Sequence, residues 1–159
     1  MWIEYNPNPL GKRVGDCAIR AVAKALNLTW EEAFIEVSKD AFEMCDMPSS
    51  DSVWGATLRH HGFIRESVPD ACSDCYTADD FCHEFFKGTY VLAFGGHVAT
   101  VIDGKLFDAW DSSRKFPNTF GIERSKDELP KLLRTGTRFD LGARRTGSNK
   151  LSRSTESHS

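Results

Sequence analysis

The spacing of apolar residues predicts three helices in the first 62 residues. The first begins at Cys17, with Asp16 as its N-cap, and runs for about ten residues. Its apolar stripe consists of Ile19, Val22, Ala23 and Leu26. Thr29 and Glu32 have the spacing of a capping box and predict the start of a second helix, whose apolar side includes Phe34. A third helix is predicted over 51–60.

The pattern changes to strands after residue 62. A short strand is predicted over 63–68, followed by a helix that Thr77 and Asp80 cap and that Gly88 ends. Two-residue Gly-Gly and Asp-Gly loops then separate three β-rich runs, which predict an antiparallel meander with strands over 89–94, 97–102 and 105–110. A short helix near 129–133 and a strand over 135–141 are expected to complete the domain.

Helices therefore precede strands, which favours an α+β fold with N-terminal helices packed on a C-terminal antiparallel sheet. The length of 159 residues suits one domain, and we assign it residues 1–141. Residues 142–159 are polar and Ser-rich and carry four basic side chains against one acidic. This composition predicts a disordered, solvated basic tail.

Composition and charge narrow the class of protein. The chain is 40% hydrophobic and 27% charged, as in globular proteins, and its net charge is −3. Because the basic residues form no stripe over the first 141 positions, nucleic-acid binding is not expected. Apolar runs are too short for a membrane span, and the acidic start differs from a signal peptide, so we expect a cytoplasmic protein without membrane contact. Five cysteines cannot all pair within one chain, which directs attention to thiol or metal chemistry.

Two residues suggest nucleophilic chemistry. Cys17 lies in the first turn of the predicted helix, where the helix dipole favours a thiolate. His97 follows Gly95 and Gly96 at the start of a strand, where it is a candidate base. A two-residue Asp-Gly loop fixes a register that places Asp108 on the same sheet face as His97, about 7–8 Å away along the diagonal, and turns Asp111 to the opposite face. The alternatives are a buried structural cysteine and an ordinary hairpin histidine.

Three segments carry a resemblance to a known family. They are Gly15-Asp16-Cys17-Ala18-Ile19-Arg20-Ala21, Gly96-His97-Val98-Ala99 and Phe107-Asp108-Ala109-Trp110. In this order, within about residues 6–112, they resemble the papain-like cysteine peptidase superfamily, in particular the small papain-like proteins of bacteria and bacteriophages and, more distantly, the bacteriocin-processing peptidases. The resemblance implies a papain-like fold.

The resemblance also implies an activity and residue roles. Cys17 is then the nucleophile, His97 the general base and Asp108 the acid that orients the imidazole, and the substrate is a protein or peptide cleaved through an acyl-thioester. The superfamily often has a Gln before the nucleophile as oxyanion donor, but this chain contains no Gln. Asn8, Asn6 or the Cys17 backbone N–H with a neighbouring amide is expected to take that role.

A second cysteine group suggests a structural zinc ion. Cys72 and Cys75 have Cys-x-x-Cys spacing, and Cys82 follows seven residues later. The fourth ligand would be one of Cys45, His60, His61 and His83. The favoured alternative is reduced thiols packed against phenylalanines, with no cofactor. A catalytically degenerate papain-like domain or a zinc-stabilised adaptor that only binds a partner is the competing functional hypothesis.

Overall fold

A computed structural model describes residues 1–68 and 76–123 of the chain. The predicted helix near 129–133, the predicted strand over 135–141 and the 142–159 tail lie outside these residues. The same is true of Cys72 and Cys75, the two closely spaced cysteines of the zinc hypothesis.

The described residues form four helices, α1 (Cys17–Leu26), α2 (Trp30–Met44), α3 (Asp51–His60) and α4 (Ala78–Glu84). The predicted capping box of α2 is confirmed, because Thr29 Oγ1 accepts the Glu32 N–H at 3.2 Å and Glu32 Oε2 accepts the Thr29 N–H at 2.8 Å. Thr77 and Asp80 cap α4 in the same way.

Two details of these helices differ from the prediction. α4 ends at Glu84 and not at Gly88, so Phe85 and Phe86 lie beyond it, and Phe86 is exposed. On α2, Phe34 is exposed and stacks on Trp30 with their rings 5.0 Å apart, although its spacing predicted a core position.

Within the described residues, six strands form one mixed sheet. They are β1 (Trp2–Glu4), β2 (Phe63–Ser67), β3 (Thr89–Phe94), β4 (His97–Ile102), β5 (Lys105–Asp108) and β6 (Thr119–Glu123). Their order is β1-β5-β4-β3-β6-β2. β1 runs parallel to β5, and the other neighbours are antiparallel. The fold is therefore α+β, but the expectation of a purely C-terminal antiparallel sheet is wrong, because the chain begins with a strand that joins β5 at the sheet edge.

The predicted meander and its register are confirmed in β3, β4 and β5. Ile102 pairs with Lys105 across the Asp103-Gly104 turn, in which both residues have positive φ, +47° and +71°. β5 ends at Asp108, two residues earlier than predicted. The chain leaves the sheet directly after Asp108, so Trp110 approaches His97 from a loop and not from a paired strand.

Alternate residues of the strands face two apolar layers. Val91, Ala93 and Val98 pack against α1, α2 and α3, whereas Leu92, Ala99 and Val101 pack on the side of α4. α1 lies against β4, and Thr100 Oγ1 donates a 2.9 Å hydrogen bond to the Ala21 carbonyl at their contact. This contact holds the start of α1 beside the start of β4.

Candidate active site

Cys17 is the first residue of α1, and its side chain is half-buried beside β4. The His97 imidazole and the Val98 backbone N–H both adjoin the thiol and stabilise its ionised form. Both contacts come from the first two residues of β4. The packing of α1 on β4 therefore brings a helix N-terminus and a strand N-terminus together at one sulfur atom.

His97 is held on several sides. The residue is 8% exposed, and its Nε2 lies 2.6 Å from Asp108 Oδ2. The Phe94 ring stacks on the imidazole at 5.9 Å, and the Trp110 ring meets it edge-on at 4.7 Å. Because Asp108 engages Nε2, Nδ1 is the ring nitrogen that remains for the Cys17 thiol.

Asp108 ends β5 and is almost completely buried. Besides His97, its Oδ2 accepts the Ser112 hydroxyl at 2.6 Å, and its Oδ1 accepts the Ala109 N–H at 2.7 Å. Its main-chain carbonyl accepts the Tyr5 N–H at 2.8 Å, just after β1. The carboxylate is thus fixed by a network that the register argument did not reveal, and Ser112 is a contributor that the sequence analysis missed.

A buried arginine extends this network into α1. Arg20 is 7% exposed; its Nη1 donates to Asp16 Oδ1, and its Nη2 lies 3.9 Å from Asp108 Oδ1. Asp16 also accepts the Trp30 indole N–H at 2.9 Å. Asp16 occupies the N-cap position as predicted, but its side chain makes no capping hydrogen bond and binds Arg20 instead. The Asp16–Arg20 spacing of four residues was the available sequence signal.

The environment changes the pKa of both reacting groups. Burial opposes ionisation of the Cys17 thiol, but the His97 hydrogen bond and charge, the Val98 N–H and the Arg20 charge outweigh it and lower the pKa of the thiol. Burial likewise disfavours imidazolium, but hydrogen bonds and charges from Asp108 and Cys17 raise the pKa of His97 to about 9. Both shifts move the equilibrium toward a thiolate–imidazolium pair.

The predicted oxyanion donor Asn8 organises the loop that leads to α1. Its Oδ1 accepts the Leu10 N–H at 3.0 Å and the Lys12 N–H at 3.3 Å. Asn6 serves the same loop, because its Nδ2 donates to the Lys12 carbonyl at 3.2 Å. A second source of donors adjoins the thiol itself, since the backbone N–H groups in the first turn of a helix have no acceptor within it.

A groove of about 400 Å³ adjoins the residues that precede Cys17. Val14, Gly15 and Asp16 form one wall, and α2 contributes Trp30 and Phe34. The remaining lining residues are Ala18, Ile19, Met47, Pro48 and Ser49. The groove is mostly apolar and has room for a side chain of a bound molecule.

The other candidate residues lie apart from Cys17, His97 and Asp108, or they lie outside the described residues. Cys82 is buried among aromatic rings, and burial raises the pKa of its thiol to about 11, which favours the neutral form. No group of three or more His, Cys, Asp and Glu side chains suited to a metal ion occurs within residues 1–68 and 76–123. Asp111 is exposed and accepts the Ser113 N–H at 3.0 Å.

Comparison of the chain with protein-family models, with curated proteins and with solved structures finds no match. Over the described part of the chain, none of the helices combines the length and apolarity that crossing a membrane requires.

Proposed function

We propose that the chain is a papain-like cysteine hydrolase that cleaves a peptide, isopeptide or related amide bond through an acyl-thioester intermediate. One observation carries the proposal: Cys17, His97 and Asp108, which lie far apart in sequence, come together, with His97 hydrogen-bonded to Asp108 and its imidazole beside the Cys17 thiol. A nucleophile, a base and an orienting acid in this relation are the parts that thiol acyl transfer requires.

In the first half-reaction the Cys17 thiolate attacks the substrate carbonyl carbon and a C–S bond forms. The C–N bond then breaks as His97 gives its Nδ1 proton to the leaving amine, which leaves a thioester on Cys17. Asp108 accepts from Nε2 throughout, so it fixes the ring and stabilises its charged form.

In the second half-reaction water attacks the thioester carbonyl while His97 Nδ1 takes a proton from the water. The C–S bond breaks, the carboxylic acid product leaves, and the thiolate–imidazolium pair is restored. The negative oxygen that develops in each step would be stabilised by backbone N–H groups at the start of α1, with the Asn8 carboxamide as a further candidate donor. No cofactor takes part in either step.

The groove beside Val14 and Asp16 supports a peptide or protein as the substrate. It lies next to the nucleophile along the chain and presents Trp30, Phe34 and Ile19, which suit an apolar side chain of an extended substrate. We propose that a bound peptide places one side chain there while its carbonyl lies over Cys17.

Acylation by an activated ester tests the proposal without knowledge of the natural substrate. With p-nitrophenyl acetate, intact-mass analysis should show one acetyl group on Cys17, and nitrophenol release should continue as the thioester hydrolyses. The variants C17A and H97A should lose both signals, whereas C45A, which removes an exposed cysteine, should keep them. Acetylation spread evenly over the cysteines, or equal release by C17A, would instead support a domain that only binds a partner.

A further inference from the structure

Arg20 is a buried cation that the catalytic steps above do not use. Its guanidinium lies between the carboxylates of Asp16 and Asp108, and its Nε is buried without a hydrogen-bond partner among the described residues. Burying a guanidinium and two carboxylates carries a large desolvation cost before their mutual attraction offsets it. A leucine or methionine at this position of α1 would avoid that cost, so the arginine calls for an explanation beyond packing.

The contacts of Arg20 point to the reacting groups. Through Nη2 it faces Oδ1 of Asp108, the carboxylate whose other oxygen holds His97. Through Nη1 it is anchored to Asp16, which the Trp30 indole holds in turn. A rigid planar fork between two carboxylates restrains the orientation of both.

We propose that Arg20 is a positioning residue of the hydrolase: anchored by Asp16, it fixes the Asp108 carboxylate toward His97 and holds a permanent positive charge beside the Cys17 sulfur. This inference rests on the proposed function. α1 then supplies two groups to the site, because Cys17 and Arg20 lie about one helix turn apart on it.

In the part of the chain that the structure describes, two charged side chains act on the Cys17 thiol. His97 faces Cys17 from β4, and Arg20 lies beside it on α1. Asp108 faces His97 and Arg20 from the end of β5, and Asp16 faces Arg20 from the start of α1. The Arg20 charge contributes to the lowered pKa of Cys17, in agreement with this placement.

The test compares R20Q and R20K by the pH dependence of Cys17 alkylation with iodoacetamide, located by peptide mapping. R20Q removes the charge, so its thiolate should form at higher pH, and alkylation at about pH 6 should be at least about threefold slower than in the wild-type chain. R20K keeps a charge but loses the planar fork, so its profile should lie between those of R20Q and wild type. R65Q is the control, because Arg65 lies on β2 at the far edge of the sheet and forms an exposed ion pair with Asp51 of α3.

Circular dichroism and thermal melting establish that each variant is folded. If R20Q does not fold, D16N/R20Q replaces it, since this pair removes one carboxylate together with the guanidinium and should shift the profile in the same direction. A folded R20Q or D16N/R20Q with the wild-type profile would overturn the inference, and so would R20K shifted as far as R20Q. The ester experiment on the wild-type chain tests the proposed function separately, because it contains no Arg20 variant.

Discussion

Replacing Asp108 by Asn should change the titration of His97 more than any other single substitution. The change keeps the size of the side chain and an oxygen that can accept from Nε2, but it removes the negative charge 2.6 Å from the ring. The pKa of His97 is about 9 with Asp108 present, against 6.5 for an unperturbed imidazole. That difference corresponds to about 3 kcal/mol in favour of imidazolium.

This gain is a net value, because burial of the ring acts against it. In D108N the burial of the ring and the influence of Cys17 remain while the carboxylate charge is gone, so the pKa of His97 should fall well below its wild-type value. The imidazolium form would then be less populated near neutral pH, Cys17 would lose part of its counter-charge, and acyl transfer would slow. The loss should be smaller than in C17A, since Asn still orients the ring.

The assay is a heteronuclear NMR titration of the His97 ring in the wild-type chain and in D108N. D111N is the matched control, because Asp111 is an exposed aspartate three residues away whose carboxylate accepts the Ser113 N–H of its own loop. D111N should leave the His97 titration at its wild-type position. An unchanged pKa of His97 in D108N, or a larger fall in D111N, would refute the assignment of Asp108 as the partner of His97.

Three further predictions concern stability. In a C17S chain, where no thiol titrates beside it, Asp108 still raises the pKa of His97, so His97 should stabilise the fold fully below pH 6.5 and lose this contribution as the pH rises through the folded pKa of the ring. Urea unfolding at a series of pH values from 6.5 upward should show the loss, and C17S/D108N should not. In the same urea assay, G104A should lower the free energy of unfolding by about 1–3 kcal/mol, because φ of Gly104 is +71° and a Cβ there would lie 2.9 Å from the Cys82 carbonyl oxygen. G55A is the control: Gly55 lies in α3, where a Cβ would make only an ordinary contact, so this change should not destabilise the protein. T29A should cost about 1 kcal/mol in the same assay by removing the α2 cap, and an unchanged midpoint would contradict that role.

Elements with a local chemical signal could be predicted from the sequence. Two kinds of local feature are examples: the capping boxes at Thr29 and Thr77 and the Asp103-Gly104 loop. Each depends on residues only a few positions apart, so neighbouring residues in the sequence are enough to predict it. The hairpin register followed from the loop length alone. That register was enough to single out Asp108 rather than Asp111 as the acid near His97.

Features that depend on distant pairing could not be predicted in this way. β1 has only three residues and is defined by its parallel pairing with β5, more than a hundred positions later. β6 is likewise defined by β3 and β2 on either side. In the sequence, nothing distinguishes Arg20 from other charged residues as a buried side chain. Its burial could not be predicted, because it depends on Asp108, which lies at the end of β5. Non-local contacts of this kind leave no periodic pattern along the chain.

Competition among the cysteines for limiting iodoacetamide near neutral pH tests the central claim most directly. Cys17 is half-buried and Cys45 is exposed, so accessibility alone favours Cys45, whereas ionisation by His97 favours Cys17. The account predicts that peptide mapping finds Cys17 modified first, and that H97A removes this preference. Modification of Cys45 before Cys17 in the wild-type chain, or a preference for Cys17 that persists in H97A, would contradict it.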